Sequence, residues 1–169
     1  MSCDDADAIG DADDELIRTT AEQFIHRLFP NFRSPGYLAC PDGRIEDAMV
    51  AAIVEGACAK GVRTEVVDLR PAPADLLDKV TSRLHGFGGQ GVSSEKSELT
   101  LLVLKGFDLL EGKEHDAPTY PFRSKFQFDQ EHLWLFVGRD WQRLRRLFSS
   151  YSLPLYYAAS NYTPKEWRR

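Results

Sequence analysis

The sequence predicts an open α/β domain: a three-layer sandwich with a five-stranded, mainly parallel sheet and helices on both faces. Three observations carry this. Short apolar segments of β type alternate with stretches of helical periodicity along most of the chain. One of them, Leu101-Leu102-Val103-Leu104, is apolar without alternation, as suits a strand buried on both faces in the middle of a parallel sheet. The length, 169 residues with 43% hydrophobic and 28% charged, suffices for one core and lies below the roughly 250 residues at which chains divide.

The elements follow in order. Residues 1–12 hold Asp4, Asp5, Asp7 and Asp11 with little apolar content, and are expected to be an acidic, disordered tail ahead of a single domain over 13–169. From Asp14, the residues Ile17, Ala21, Phe24, Ile25 and Leu28 recur at the spacing of one buried helix face, and Pro30 stops that helix. Tyr37 to Cys40 is a short strand closed by Pro41-Asp42-Gly43. Ile45 to Lys60 is a helix with Ile45, Met49, Ala52, Ile53 and Gly56 inward and Gly61 as its C-terminal cap.

Arg63 to Leu69 holds the second strand, and Pro71 and Pro73 lead into a helix from Ala74 to Leu84. Leu99 to Phe107 is the third strand and His132 to Val137 the fourth. Asp140 to Ser150 is a helix burying Trp141, Leu144, Leu147 and Phe148, and Pro154 to Ala159 is the fifth strand. Between the third and fourth strands, Pro118 and Pro121 argue for an excursion or hairpin rather than a crossover helix.

Composition narrows the function. Lys and Arg total 21 against 26 Asp and Glu, a net charge of −5, which argues against a dedicated nucleic-acid binder. No apolar run reaches the ~18 residues of a membrane helix, and the acidic start lacks the features of a secretion signal. Cys3, Cys40 and Cys58 show no paired spacing, which fits a reducing cytoplasm and no zinc site. His26, His85, His115 and His132 show no metal-ligand spacing either, so no metal and no cofactor is expected. The glycine-rich stretch His85 to Gly91, with Ser93 and Ser94, precedes a strand rather than opening a helix and reads as a flexible loop.

In open α/β sheets, ligands bind outside the carboxyl ends of the strands, so the turn after the first strand matters most. It reads Cys40-Pro41-Asp42-Gly43-Arg44-Ile45-Glu46-Asp47. In length, proline and internal glycine it resembles the phosphate-binding loop of P-loop ATPases of the AAA+ type, G-x-x-x-x-G-K-[ST]. Cys40 then stands at the first Gly, Ile45 at the second, Glu46 at the Lys and Asp47 at the Ser/Thr, with Gly43 inside the loop. A β-branched Ile obstructs the close approach of backbone N–H groups to phosphate. Each carboxylate repels a phosphate charge by about 4 kcal/mol at ~4 Å and an effective dielectric of 20. Carboxylates at a helix N-terminus also suit the helix dipole, so the same turn reads equally as an ordinary strand–turn–helix.

The third strand continues the resemblance. That family carries an apolar strand ending in Asp-Glu, often followed by an apolar residue, Asp and Leu. Here the strand runs into Lys105-Gly106-Phe107-Asp108-Leu109, with Lys105 at the Mg²⁺-supporting Asp and Gly106 at the catalytic Glu. Anionic and cationic positions are thus exchanged between the two motifs. The expectation is that Glu46 and Lys105 meet at the strand ends; the alternative is that Lys105 extends into solvent. The resemblance implies the strand order 5-1-4-3-2 and a degenerate nucleotide site at Cys40, Gly43, Ile45, Glu46, Asp47, Lys105, Gly106 and Asp108, with no catalytic residue.

A degenerate domain of this kind implies a non-catalytic protein-interaction or regulatory subunit of a larger assembly. Its partner would be a protein, another ATPase subunit or a second copy of the chain, with neither nucleic acid nor membrane insertion. Candidate contact residues are Tyr120, Phe122, Arg123 and Phe126, where aromatic and cationic residues alternate, and Arg143, Arg145 and Arg146 on the fourth long helix. Two other readings stay open: an active ATPase with a divergent site, and a flavodoxin-like FMN-binding domain, for which the strand order would be 2-1-3-4-5.

Overall fold

Apolar residues on both sides of the strands give the sheet two buried faces, and the helices divide between them. A computed structural model describes residues 10–28, 34–84 and 99–168. Five parallel strands, β1 (Gly36–Ala39), β2 (Arg63–Asp68), β3 (Thr100–Lys105), β4 (His132–Gly138) and β5 (Ser160–Asn161), lie in the order β2-β3-β4-β1-β5. This is the 5-1-4-3-2 order expected. With β1 between β4 and β5 rather than between β2 and β3, the order is not that of flavodoxins.

One face carries Leu38, Leu101, Val103, Leu133, Leu135 and Val137 against α1 (Asp11–Leu28) and α2 (Gly43–Ala59). The opposite face carries Tyr37, Leu102, Leu104, Trp134 and Phe136 against α3 (Pro73–Arg83), α4 (Asp116–Phe126) and α5 (Trp141–Ser149). The period-two alternation of Leu101/Val103 with Leu102/Leu104 explains why the central strand shows no polar residue. Gly56 lets α1 approach α2, since a Cβ there would lie 3.1 Å from Ile25 Cγ1. Lys60 and Gly61 end α2 in a Schellman turn, in which the Val62 amide donates to Ala57 and the Gly61 amide to Cys58. Gly61, at φ +75°, takes the left-handed position that this turn needs.

Four expectations change. Helix α1 begins at Asp11 rather than Asp14, because Asp11, Asp13 and Asp14 together favour the positive end of the helix dipole. Residues 1–9 of the expected tail, and the glycine-rich stretch from His85, lie outside the described residues. The segment between β3 and β4 is a helix, α4, despite its prolines. Pro118 falls in its first turn, where no amide partner is lost, and the Thr119 hydroxyl donates to the carbonyls of His115 and Asp116. Pro121 costs up to about 3 kcal/mol inside a helix, and the full burial of Phe122 and Phe126, at about 2 kcal/mol each, offsets it.

Pro154 to Ala159 is a series of turns, and β5 is only Ser160–Asn161. Leu155 and Ala158 are drawn into the second core, which winds this stretch through the bonds Tyr156 N–H to Leu153 and Ala158 N–H to Leu155. Finally, Trp141 is only half-buried, with the Arg168 guanidinium 5.5 Å from its ring centre. Among the described residues no helix is long and apolar enough to cross a membrane.

Candidate functional site at the carboxyl ends of the strands

Strands β1 and β4 are neighbours whose following helices, α2 and α5, go to opposite faces of the sheet, which opens a crevice at their carboxyl ends. The turn Cys40–Gly43 enters this crevice. Asp42, in an extended conformation, caps α2: its Oδ1 accepts from the amides of Arg44 at 2.8 Å and Ile45 at 3.0 Å. These are the first-turn amides that an anion at a helix N-terminus would use, and a side chain already occupies them.

Glu46, in the first turn of α2, is fully buried and sits among three cations. Its Oε1 lies 2.9 Å from Arg70 Nη2 and 3.1 Å from Lys105 Nζ, and its Oε2 lies 3.3 Å from Arg139 Nε. The expected meeting of Glu46 with Lys105 is therefore present, and Lys105 is 13% exposed rather than extended into solvent. Asp47 takes a second bond from Lys105 at 2.6 Å, and Asp68 grips Arg70 in a two-pronged contact at 2.8 and 2.7 Å. Three carboxylates thus balance three cations.

The electrostatics follow from these contacts. The hydrogen bond from Lys105 holds the Asp47 carboxyl below the usual aspartate value although desolvation opposes it, and Arg70 does the same for Asp68. Desolvation works to lower Lys105, yet the bonds to Asp47 and Glu46 outweigh it and leave its pKa raised. Arg70 is raised by Asp68 and Glu46. Cys40, buried beneath the cluster and facing the charges of Glu46 and Asp42, has its thiol pushed up, so it stays protonated and inert.

Two glycines make room for the arginines. Gly43 opens α2, and a Cβ there would sit 2.8 Å from Arg139 Nη2. Gly106, at φ +72°, lies beneath Arg70, whose Cγ would be 2.7 Å from a Cβ. Gly106→Ala should therefore destabilise the fold by at least about 1–2 kcal/mol from left-handed strain alone, read from the urea midpoint at constant m-value.

Of the residues singled out from sequence, Glu46, Asp47, Lys105, Gly43 and Gly106 converge. Ile45 does not: it is buried in the core between α1, α2 and the sheet. Asp108 also stands apart, behind the end of β4, where Oδ2 accepts the Asp140 amide at 3.1 Å. Burial raises its pKa, with the surrounding amides pulling the other way. The candidate contact residues divide. Phe122 and Phe126 are buried in the aromatic core and present no surface to a partner, whereas Tyr120 is 57% exposed and Arg123 is half-buried. Arg143 and Arg146 both reach Glu111, at 3.4 and 3.1 Å, and Arg145 is exposed.

Sequence reasoning did not place Arg70, Asp68 or Arg139 at this site. Their signal was position: Arg70 is two residues past the end of β2 and Arg139 one past the end of β4, at the edge where ligands of such sheets bind.

No protein-family model and no curated protein matches the sequence. Solved structures do resemble the chain. A Walker-type ATPase of Pyrococcus abyssi, PABY2304, superposes with a TM-score of 0.54 at 10% identity over 88% of this chain and 54% of its own. DnaI gives a TM-score of 0.55 at 18% identity, over 98% of this chain and 88% of its own. The ORC1 protein of Aeropyrum pernix, solved in complex with DNA, gives 0.52 at 14% identity over 96% of this chain and 48% of its own. The chain thus spans about half the length of the Pyrococcus and Aeropyrum proteins. Together with the strand order, these likenesses show that the chain has the α/β fold of the P-loop NTPases.

Proposed function

We propose that this chain is a P-loop-ATPase-like domain with a degenerate nucleotide site, which works without catalysis as a protein-interaction or regulatory subunit of a larger assembly in the cytoplasm. The observation that carries the reading is the position of Glu46, fully buried among Arg70, Lys105 and Arg139. A buried carboxylate is tolerated only when it is paired, and this one takes the charges that a phosphate chain would need. With Asp42 on the first amides of α2, an entering triphosphate would have to displace a hydrogen-bonded cap and face Glu46 and Asp47. What remains is a fold with a self-neutralised crevice, suited to contacts rather than turnover.

Calorimetric titration with Mg-ATP tests the first half. No saturable heat is expected up to about 1 mM nucleotide, and a Kd in the micromolar range, about −8 kcal/mol, would overturn the reading. Affinity capture from the native cell extract tests the second half, with a stoichiometric protein partner as the expected result and a chain that elutes alone as the contrary one.

A further inference from the structure

At the opposite end of the sheet, by the amino ends of β1 and β4, a second cavity of about 250 Å³ is lined by residues that the crevice does not use, among them Arg123, Phe126, Asp129, His132, Trp134 and Tyr157. Its chemistry starts at Asp129. Oδ2 accepts from Trp134 Nε1 at 2.9 Å and from His132 Nδ1 at 2.9 Å, and Oδ1 accepts the Glu131 amide at 3.2 Å. Although burial opposes it, these bonds hold the Asp129 carboxyl below the usual aspartate value. An ionised carboxylate only accepts, so Nδ1 carries the ring proton and Nε2 is the nitrogen left for a ligand. Among the described residues, Nε2 has no partner.

Arg123 is the second group. No carboxylate of the described residues pairs with it, and its guanidinium lies 5.8 Å from the Phe126 ring centre. Among the described residues the cavity therefore holds one arginine without a counter-ion and one histidine whose proton Asp129 favours, against one carboxylate whose two oxygens are both occupied. Phe126 and Trp134 border the cavity but are themselves buried, so its polar groups are what it offers a ligand, and Tyr157 stands at the rim in the left-handed region, φ 53°, which a tyrosine seldom takes. Strained side chains at a cavity edge are a mark of binding sites when independent chemistry points the same way.

We propose that this cavity binds a small anion, a carboxylate or phosphate, between Arg123 and His132. The site is separate from the crevice and does not depend on the function proposed for it. The protonated ring supplies a charged donor at Nε2, and the planar guanidinium supplies a paired one.

Protonation sets the pH dependence. The Asp129 hydrogen bond raises the pKa of His132, against its partial burial, and the charges of Asp129, Glu131 and Glu65 add to the rise. Glu131 and Glu65 do not line the cavity, and Glu65 on β2 is paired with Arg83 at 2.7 Å. The other charged group lining the cavity is Arg123 on α4. Binding should accordingly be full below the raised value and weaken as pH climbs through it.

Acetate and inorganic phosphate, titrated separately into the full chain by calorimetry and by the NMR signal of the His132 ring, distinguish the two anions. At about pH 6 at least one should saturate and shift the His132 signal, and neutral acetamide should not; near pH 9 the affinity should fall at least about tenfold. Arg123→Gln, on a half-buried side chain, should lose at least about tenfold in affinity with an unchanged melting temperature. His132→Gln keeps a donor for Asp129 and should remove the pH dependence. Neither probe saturating by about 10 mM, or an affinity that Arg123→Gln leaves unchanged, would overturn the proposal.

Discussion

Glu46→Ala is expected to cost about 3–5 kcal/mol of folding stability, because it leaves charges in a desolvated place without their counter-charge. The three cations differ in how they would respond. Arg139 is 47% exposed and can turn to water, and Arg70 keeps its two-pronged hold on Asp68. Lys105 is 13% exposed and keeps only Asp47, so it bears most of the loss and places the expected value toward the lower end of that range. Asp47→Ala makes the contrast, since that side chain is 70% exposed and an exposed pair contributes at most about 1 kcal/mol. Urea denaturation at fixed m-value separates the two.

The same variant has a second, sharper consequence. Without Glu46, Arg70, Lys105 and Arg139 surround a space that a small anion can take, so sulfate or pyrophosphate should restore stability to Glu46→Ala by about 1.4 kcal/mol for each tenfold excess over its Kd. Measured in the Arg123→Gln background, which disables the anion cavity at the other end of the sheet, the chain that keeps Glu46 should show no such gain. If both respond equally, the carboxylate does not occupy an anion's place, and the reading of the crevice fails.

The contrast between what the sequence showed and what it hid has physical causes. Apolar periodicity located α1, α2, α3, α5 and the strands β1 to β4 because burial imposes it: Leu101 to Leu104 must be apolar to lie between two layers. The exchange of charges between Glu46 and Lys105 could be read because each lies beside a strand end within a recognisable pattern. Arg70 and Arg139 belong to no pattern; only the order of strands, which places the ends of β2, β3, β4 and β1 side by side, brings them to Glu46. Helix α4 was hidden for another reason. Its prolines are local signals against a helix, and the burial of Phe122 and Phe126 that overrides them is a tertiary fact. The same holds for Leu155 and Ala158, whose pull into the core replaced an expected strand by turns.

Phe122→Ala should therefore behave as a core deletion and not as the loss of a contact residue. The ring is fully buried, stacked on Phe126 at 5.1 Å and 12°, and edge-on to Trp134 at 5.4 Å and Phe136 at 6.0 Å. Removing it forfeits transfer energy and leaves a void that the stiff aromatic neighbours cannot close, a loss of about 3–5 kcal/mol. At about 2–4 °C per kcal/mol for a chain of this size, the melting temperature should fall by roughly 10 °C. Tyr120→Ala, two residues earlier on the same helix and 57% exposed, should stay within about 0.5 kcal/mol. The pair isolates burial as the variable, since both substitutions remove one aromatic ring from α4 and leave its prolines in place. A small stability loss for Phe122→Ala together with lost partner capture would return that side chain to the surface and undo the packing of α4 on the sheet.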